Sequence, residues 1–148
     1  MLVTKNKFLS YQNTFFQKIQ NTPYKIQLEV VTIEKTSVED DEFSLEDFVG
    51  DNPRTSKFYE LRALYEKQIS DRTREKYGLP DTVDGIVYLS PKQLVPLFGD
   101  YHLDLNRTKI HFEGSTQVIS KIIYLEEFKE YGTCIGLQIF VKDDIKGG

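Results

Sequence analysis

Tryptophan is absent from this chain, and cysteine and methionine occur once each. The single thiol, Cys134, allows no internal disulfide, which fits a reducing compartment. Two histidines, His102 and His111, and that cysteine are too few for most zinc sites built from His and Cys. No run of about 18 apolar residues occurs, so no membrane-spanning helix is expected. The first twenty residues interleave Lys5, Lys7, Gln12, Asn13, Gln17, Lys18 and Gln20 with apolar ones, and so lack the apolar stretch of a signal peptide. Neither Gly-x-Gly-x-x-Gly nor Gly-Lys-Ser/Thr is there to cradle a phosphate, and no Gly-x-Ser-x-Gly elbow exposes a serine. The Asp-x-Asp-x-Asp-Gly spacing of an EF-hand is also missing.

Aromatics are plentiful: nine Tyr and ten Phe make 13% of the chain, which excludes the composition of a disordered protein. At 148 residues one domain is expected, spanning 1–148 and burying roughly two-thirds of its unfolded surface. The net charge of −4 is an average over unlike segments. Residues 1–35 carry Lys5, Lys7, Lys18, Lys25 and Lys35 against Glu29 and Glu34. Residues 36–56 carry Glu39, Asp40, Asp41, Glu42, Glu46, Asp47 and Asp51 against Arg54 alone, a net −6. One short stretch therefore holds more negative charge than the whole chain nets. The only basic cluster is Arg72, Arg74 and Lys76, interrupted by Glu75, and reads as a solvated helix face. Sequence-specific DNA binding needs a basic patch and is not expected.

Phe8, Tyr11, Phe15 and Ile19 recur at spacings of three and four, one face of a helix that Asn21, Thr22 and Pro23 end. Tyr24, Ile26, Leu28 and Val30 alternate with polar residues, the period of a half-buried strand. Residues 36–56 break all periodicity and read as a long exposed loop, with one short helical turn at Ser44–Phe48. Over residues 57–77, Phe58, Leu61, Tyr65 and Ile69 predict a helix that Gly78 and Pro80 close, with a possible break near Ser70–Asp71. Gly85–Leu89 reads as a buried strand. Ser90, Pro91 and Gln93 then form a helix start, with Pro91 at the first helical position and a capping box from Ser90 to Gln93. Pro96 keeps that helix short and Gly99 closes it. From Thr108 the chain is β: a strand with Ile110 and Phe112, a turn at Glu113-Gly114-Ser115, a strand over 116–125 broken by Ser120 and Lys121, and a last strand through Val141. The tail from Lys142 is expected to fray.

The fold class that follows is α+β: a small antiparallel β-barrel or curled β-meander with two or three helices and a long acidic loop. Its parts are an N-terminal helix and strand (1–35), the acidic loop (36–56), and a helix plus β-meander (57–145).

Candidates for chemistry are few. Ser115 with His102 or His111 and an Asp would supply the residue types of a hydrolase, but Gly114-Ser115 is hairpin-turn chemistry. Cys134 paired with a histidine would be a nucleophile, yet it opens an apolar strand where free Cys packs as a small hydrophobe. His102, His111 and Cys134 lack metal-ligand spacing, and His111 between Ile110 and Phe112 falls on the polar side of its strand. Carboxylates of the acidic loop could chelate a hard cation, but adjacent like charges normally stay solvated. No enzymatic activity, metal or cofactor is expected.

The run Asp84-Gly85-Ile86-Val87-Tyr88-Leu89-Ser90-Pro91-Lys92-Gln93-Leu94 is a strand ending in Ser-Pro and a short helix. With the strands at Ile110–Phe112, Thr116–Tyr124 and Cys134–Val141, and the upstream Arg72–Leu79 segment, it resembles the neck proteins of tailed bacteriophages. These are the head-completion, stopper or head–tail connector proteins, and the resemblance covers about residues 70–145. It implies a non-enzymatic virion protein, assembled in the host cytoplasm as a homo-oligomeric ring around the DNA channel. Its implied neighbours are a portal or adaptor ring and a tail or tail-terminator protein, with packaged DNA close by and no membrane. The N-terminal helix, first strand and acidic loop make this chain longer than the simplest stoppers.

Within such a ring the loop carrying Glu39, Asp40, Asp41, Glu42, Glu46, Asp47 and Asp51 would either repel the phosphate backbone or dock on a basic rim of a neighbour. The rival reading is an immunity- or antitoxin-like inhibitor whose acidic surface masks a basic nuclease one-to-one.

Overall fold

The computed structural model describes residues 4–33 and 54–144. Its centre is one seven-stranded sheet, antiparallel throughout. The strands are β1 (Lys25–Ile33), β2 (Arg54–Arg62), β3 (Leu64–Glu66), β4 (Gly85–Leu89), β5 (Thr108–Phe112), β6 (Ser115–Leu125) and β7 (Gly136–Asp143). They lie in the order β2-β1-β5-β6-β7-β4-β3, curled into a half-barrel. Three helices complete the described residues: α1 (Lys5–Gln20), α2 (Asp71–Tyr77) and α3 (Pro91–Phe98). The expected α+β class with a curled meander is what forms.

The two outermost strands, β2 and β3, are consecutive in the chain and separated by Ala63 alone. The sheet must therefore curl until its opposite edges meet at that residue. Ala63 is fully buried, and its amide donates to the carbonyl of Tyr24 at 3.1 Å. This corner overturns the helix predicted over residues 57–77. Phe58, Leu61 and Tyr65 do recur at helical spacing, but β2 pairs along its whole length with β1, from Lys25↔Arg62 to Ile33↔Arg54. Tyr59 and Leu61 then face the core, while Phe58 is 51% exposed on the other side. Nine residues of ladder outweigh a local apolar stripe, because strand preference is set by cross-strand partners and burial. Only Asp71–Tyr77 is helical, capped by Ser70 at the allowed break and ended by Gly78 at φ +62°. The expected loop also ends earlier than 56, since Arg54–Ser56 belong to β2. The tail is ordered further than expected: Lys142 and Asp143 pair with Val118 and Gln117, and the Asp144 amide donates to Thr116 O at 2.9 Å.

Inside the curl, Leu28, Val87, Leu89, Ile110, Leu137 and Ile139 make the main core, closed by Leu94 of α3 and by Tyr101. Outside, Val83, Ile86 and Phe140 form a smaller cluster with Ile69, Tyr77 and Leu79. Strand β7 is consequently buried on both faces over six residues. The imperfect alternation at Ser120–Lys121 is a β-bulge. The register passes from Ile119↔Val141 to Lys121↔Phe140 and leaves Ser120 over. That extra residue reverses the facing of everything after it, so Ile119, Ile122 and Tyr124 all reach the inner core while Ile123 turns outward.

The turns and caps form as their residues dictate. Glu113 and Gly114 both take positive φ, the requirement of a type I′ hairpin turn. Ser90 caps α3, with the Ser90 amide donating to Gln93 Oε1 at 2.8 Å to complete the capping box.

Helix α1 departs from its predicted face. Phe8, Gln12 and Ile19 are buried, while Tyr11 is 46% exposed. The cause lies beneath it: α1 crosses the start of β7, where Gln12 Nε2 donates to Cys134 O at 2.8 Å and to Thr133 Oγ1 at 2.9 Å. A buried backbone carbonyl needs a donor, so an amide is favoured there over an aromatic ring. The helix also rests on bare backbone at Gly136, where a Cβ would come within 2.2 Å of the Phe15 ring. Gly136→Ala should therefore overpack this contact and lower the unfolding free energy by about 1–3 kcal/mol. The check is a urea titration, with a lower midpoint at unchanged slope; an unchanged midpoint would mean that Phe15 swings aside freely.

Candidate functional site

The seven carboxylates singled out by the sequence, Glu39, Asp40, Asp41, Glu42, Glu46, Asp47 and Asp51, lie outside the described residues, as does the turn expected at Ser44–Phe48. The structure does place their point of attachment. Ile33 and Arg54 are the terminal register partners of the β1–β2 hairpin, and residues 34–53 join them. Strand β5 pairs with β1 only from Gln27 to Val30, and Val31 N donates to Arg107 O at 2.8 Å. From Thr32 outward the hairpin continues without a third strand among the described residues. The acidic segment is thus attached where β1 and β2 pair alone over two register pairs, Thr32↔Thr55 and Ile33↔Arg54. Counting Glu34, that segment carries eight carboxylates against Lys35.

The candidate nucleophiles are not brought to their candidate bases. Ser115 is exposed at the start of β6. Cys134 is fully buried, its thiol donating to Gly136 O at 3.5 Å, and burial pushes its pKa up to about 12. Both imidazoles are engaged elsewhere. His111 Nε2 lies 2.7 Å from Glu29 Oε1 and its Nδ1 lies 3.0 Å from Thr116 Oγ1. Burial of Glu29 opposes its ionisation, yet hydrogen bonds from His111 and Ser56 and the charge of Lys109 leave its pKa lowered. His111 does sit on the polar face, as its strand position predicted, but it is partly buried and paired.

His102 is the centre of a second cluster. Its Nδ1 lies 3.0 Å from Asp100 Oδ1 and its Nε2 lies 2.9 Å from Glu127 Oε2. The Tyr101 hydroxyl donates to the same Glu127 oxygen. Tyr101 and Tyr124 flank the imidazole, with ring centroids at 4.2 Å and 4.9 Å. The cluster ties the loop after α3 to the link between β6 and β7. Burial works against the imidazolium, but the hydrogen bonds and charges of the two carboxylates outweigh it and raise the His102 pKa. The bond from His102 holds Asp100 low, and the bonds from Tyr101 and His102 hold Glu127 low. Nothing in the sequence joins Asp100 to Glu127, because the contact is made only when the meander brings two loops together.

A third feature was also missed: an open groove between α1 and α3. Two adjoining depressions of about 390 Å³ and 550 Å³ share Phe16, Lys92 and Pro96. Val95 and Leu97 of α3 are 45% and 41% exposed beside it. Three cations stand on its rim. Lys92 Nζ lies over the Phe16 ring at 5.6 Å and donates to Asn13 Oδ1 at 3.2 Å. Arg62 donates to Thr22 O at 2.8 Å, and Lys25 reaches Glu60 at 3.8 Å. Proline at position 96 and the run Leu94–Phe98 gave the only sequence signal, an apolar helix with more hydrophobic residues than one buried face needs.

Comparison with protein families, with curated proteins and with solved structures finds nothing that matches this chain.

The His102 cluster generates a pH prediction. A raised folded-state pKa contributes stability that is fully present below the unfolded value of about 6.5 and is lost as pH rises through the folded value. The lowered carboxylates contribute stability present above about 4.5 and lost as pH falls through their folded values. Urea unfolding of wild type and His102→Gln at pH 6 and pH 8.5 should show a larger destabilisation by the substitution at pH 6. Equal effects at the two pH values would remove the charge-paired role.

Proposed function

We propose that this chain is a non-enzymatic structural protein of a tailed-phage virion, forming a ring of identical subunits at the head–tail junction around the DNA channel. In that role it closes the filled head and joins it to the tail, between a portal or adaptor ring and a tail or tail-terminator protein. The observation that carries this reading is the attachment of the acidic segment to the end of the β1–β2 hairpin, two register pairs beyond β5, on a small curled sheet. The resemblance of residues 70–145 to neck proteins supports it.

The physics favours multiplicity. One acidic segment on a monomer is weakly felt beyond about 10 Å at 0.1 M salt. Repeated around a closed ring, the same carboxylates sum to a collar of one sign, which keeps phosphate from adhering while DNA passes. A closed ring needs two different surfaces per subunit, one projecting and one receiving, so that each copy engages the next in the same sense.

Light scattering and native mass spectrometry test the ring, alone and with purified virion fractions. Masses at a fixed multiple of 17.3 kDa are expected. A chain that stays monomeric and instead pairs one-to-one with a basic nuclease would overturn the ring and favour the inhibitor. Charge tests the segment. The variant Asp40→Asn, Asp41→Asn, Glu42→Gln, Asp47→Asn should assemble differently or retain more duplex DNA than wild type at roughly 50 mM salt. Unchanged assembly with unchanged DNA retention would sink a role for these carboxylates.

A further inference from the structure

The groove between α1 and α3 has the chemistry of a receptor for an acidic peptide with apolar anchors. Its floor presents Phe16, Pro96 and Leu97, and its rim carries Lys25, Arg62 and Lys92 with only Glu60 to offset them. Arg62 and Lys92 hold neutral oxygens, those of Thr22 and Asn13, so both keep their charge for a carboxylate partner. The chain itself contains the complementary segment. Residues 38–49 read Val-Glu-Asp-Asp-Glu-Phe-Ser-Leu-Glu-Asp-Phe-Val, with Phe43, Leu45, Phe48 and Val49 set among six carboxylates.

We propose that residues 38–49 of one copy dock in the α1–α3 groove of the next copy. Apolar anchors fill the floor while rim cations pair with the carboxylates, the mode by which charged motifs are read alongside apolar pockets. Reach bears on the choice between the same chain and a second copy. The rim residues Lys25 and Arg62 are paired at the base of the β1–β2 hairpin, eight residues from Ile33 and Arg54 at its tip. That separation is roughly 26 Å at about 3.3 Å per residue. With 38–49 docked, five chain steps remain on each side, which span at most about 18 Å. The two ends of the docked segment therefore cannot both lie at Lys25 and Arg62 of their own chain, which favours the groove of a second copy. Three rim cations take at most three carboxylates, so the others remain in solvent to face DNA.

This inference rests on the ring reading and names the contact between its subunits. A fluorescein-labelled peptide of residues 36–53 is titrated with the full chain carrying Asp40→Lys, Asp41→Lys and Asp47→Lys, whose groove is intact and whose own segment is reversed in charge. Saturable binding that weakens with added salt is expected. Adding Lys92→Glu to that chain should weaken it about tenfold or more. Lys92 lies in the first turn of α3, where an acidic residue suits the helix, so the variant should remain folded. No peptide binding, or binding indifferent to Lys92→Glu, would overturn the assignment. In light scattering, Lys92→Glu alone and the triple lysine variant alone should each fail to assemble, and their mixture should form one-to-one pairs. Rings that persist in Lys92→Glu, with no peptide bound, would leave the ring standing and discard this contact. Peptide binding by a wild-type chain that stays monomeric would overturn both the ring and the contact between copies.

Discussion

Everything in this molecule depends on a corner at Ala63. The chain passes through that one buried residue from the first edge of the sheet to the last, so the sheet has no choice but to curl. A flat sheet would pull the two edges apart. Curling places Leu28, Val87, Leu89, Ile110, Leu137 and Ile139 on one concave face, where a single helix, α3, closes the opening with Leu94. Each such aliphatic contributes about 1.5–3 kcal/mol through removal of its surface from water. The corner and the core are thus one constraint seen from two sides.

Surface features follow from how the outside of that curl is covered. Strand β7 is buried on both faces, so its outer side needs covering. The outer cluster around Phe140 takes Tyr77 and Leu79 beside α2, and Gly136 admits the ring of Phe15 from α1. With α1 held against β7 and α3 held under the corner, the two helices leave a groove between them. The same geometry leaves the last two register pairs of the β1–β2 hairpin, Thr32↔Thr55 and Ile33↔Arg54, without a third strand among the described residues, because β5 is short. The short overhang of the hairpin and the groove are therefore both consequences of the packing.

The residues with the most obvious chemical capacity are employed in holding loops. His102 spans two carboxylates on different loops, His111 bridges β5 to Glu29 on β1, and Cys134 is sealed under Gln12. Their partners use up both nitrogens of each imidazole. Among the described residues the surface beside α3 is cationic and apolar, and the composition of residues 34–53 is its complement.

The local elements were legible from residue order because their causes are local. Ser90, Pro91 and Gln93 begin α3, Gly78 and Gly99 end helices, Glu113-Gly114 turns a hairpin, and Ser120 interrupts an alternation. Each depends on atoms only a few residues apart. The acidic segment was equally plain, since charge is additive along a chain. Three things were decided elsewhere. Residues 57–66 are strand because β1 and β4 supply partners, a nonlocal ladder that outweighs a stripe at helical spacing. Gln12 replaces Tyr11 in the interior because a carbonyl 122 residues away needed a donor. The His102 cluster and the α1–α3 groove exist only where separate segments converge. Sequence alone determined which pieces could form and where the charge lay; the closed geometry of the curl determined which pieces meet, because hydrogen bonds and burial reward contacts that no local spacing encodes.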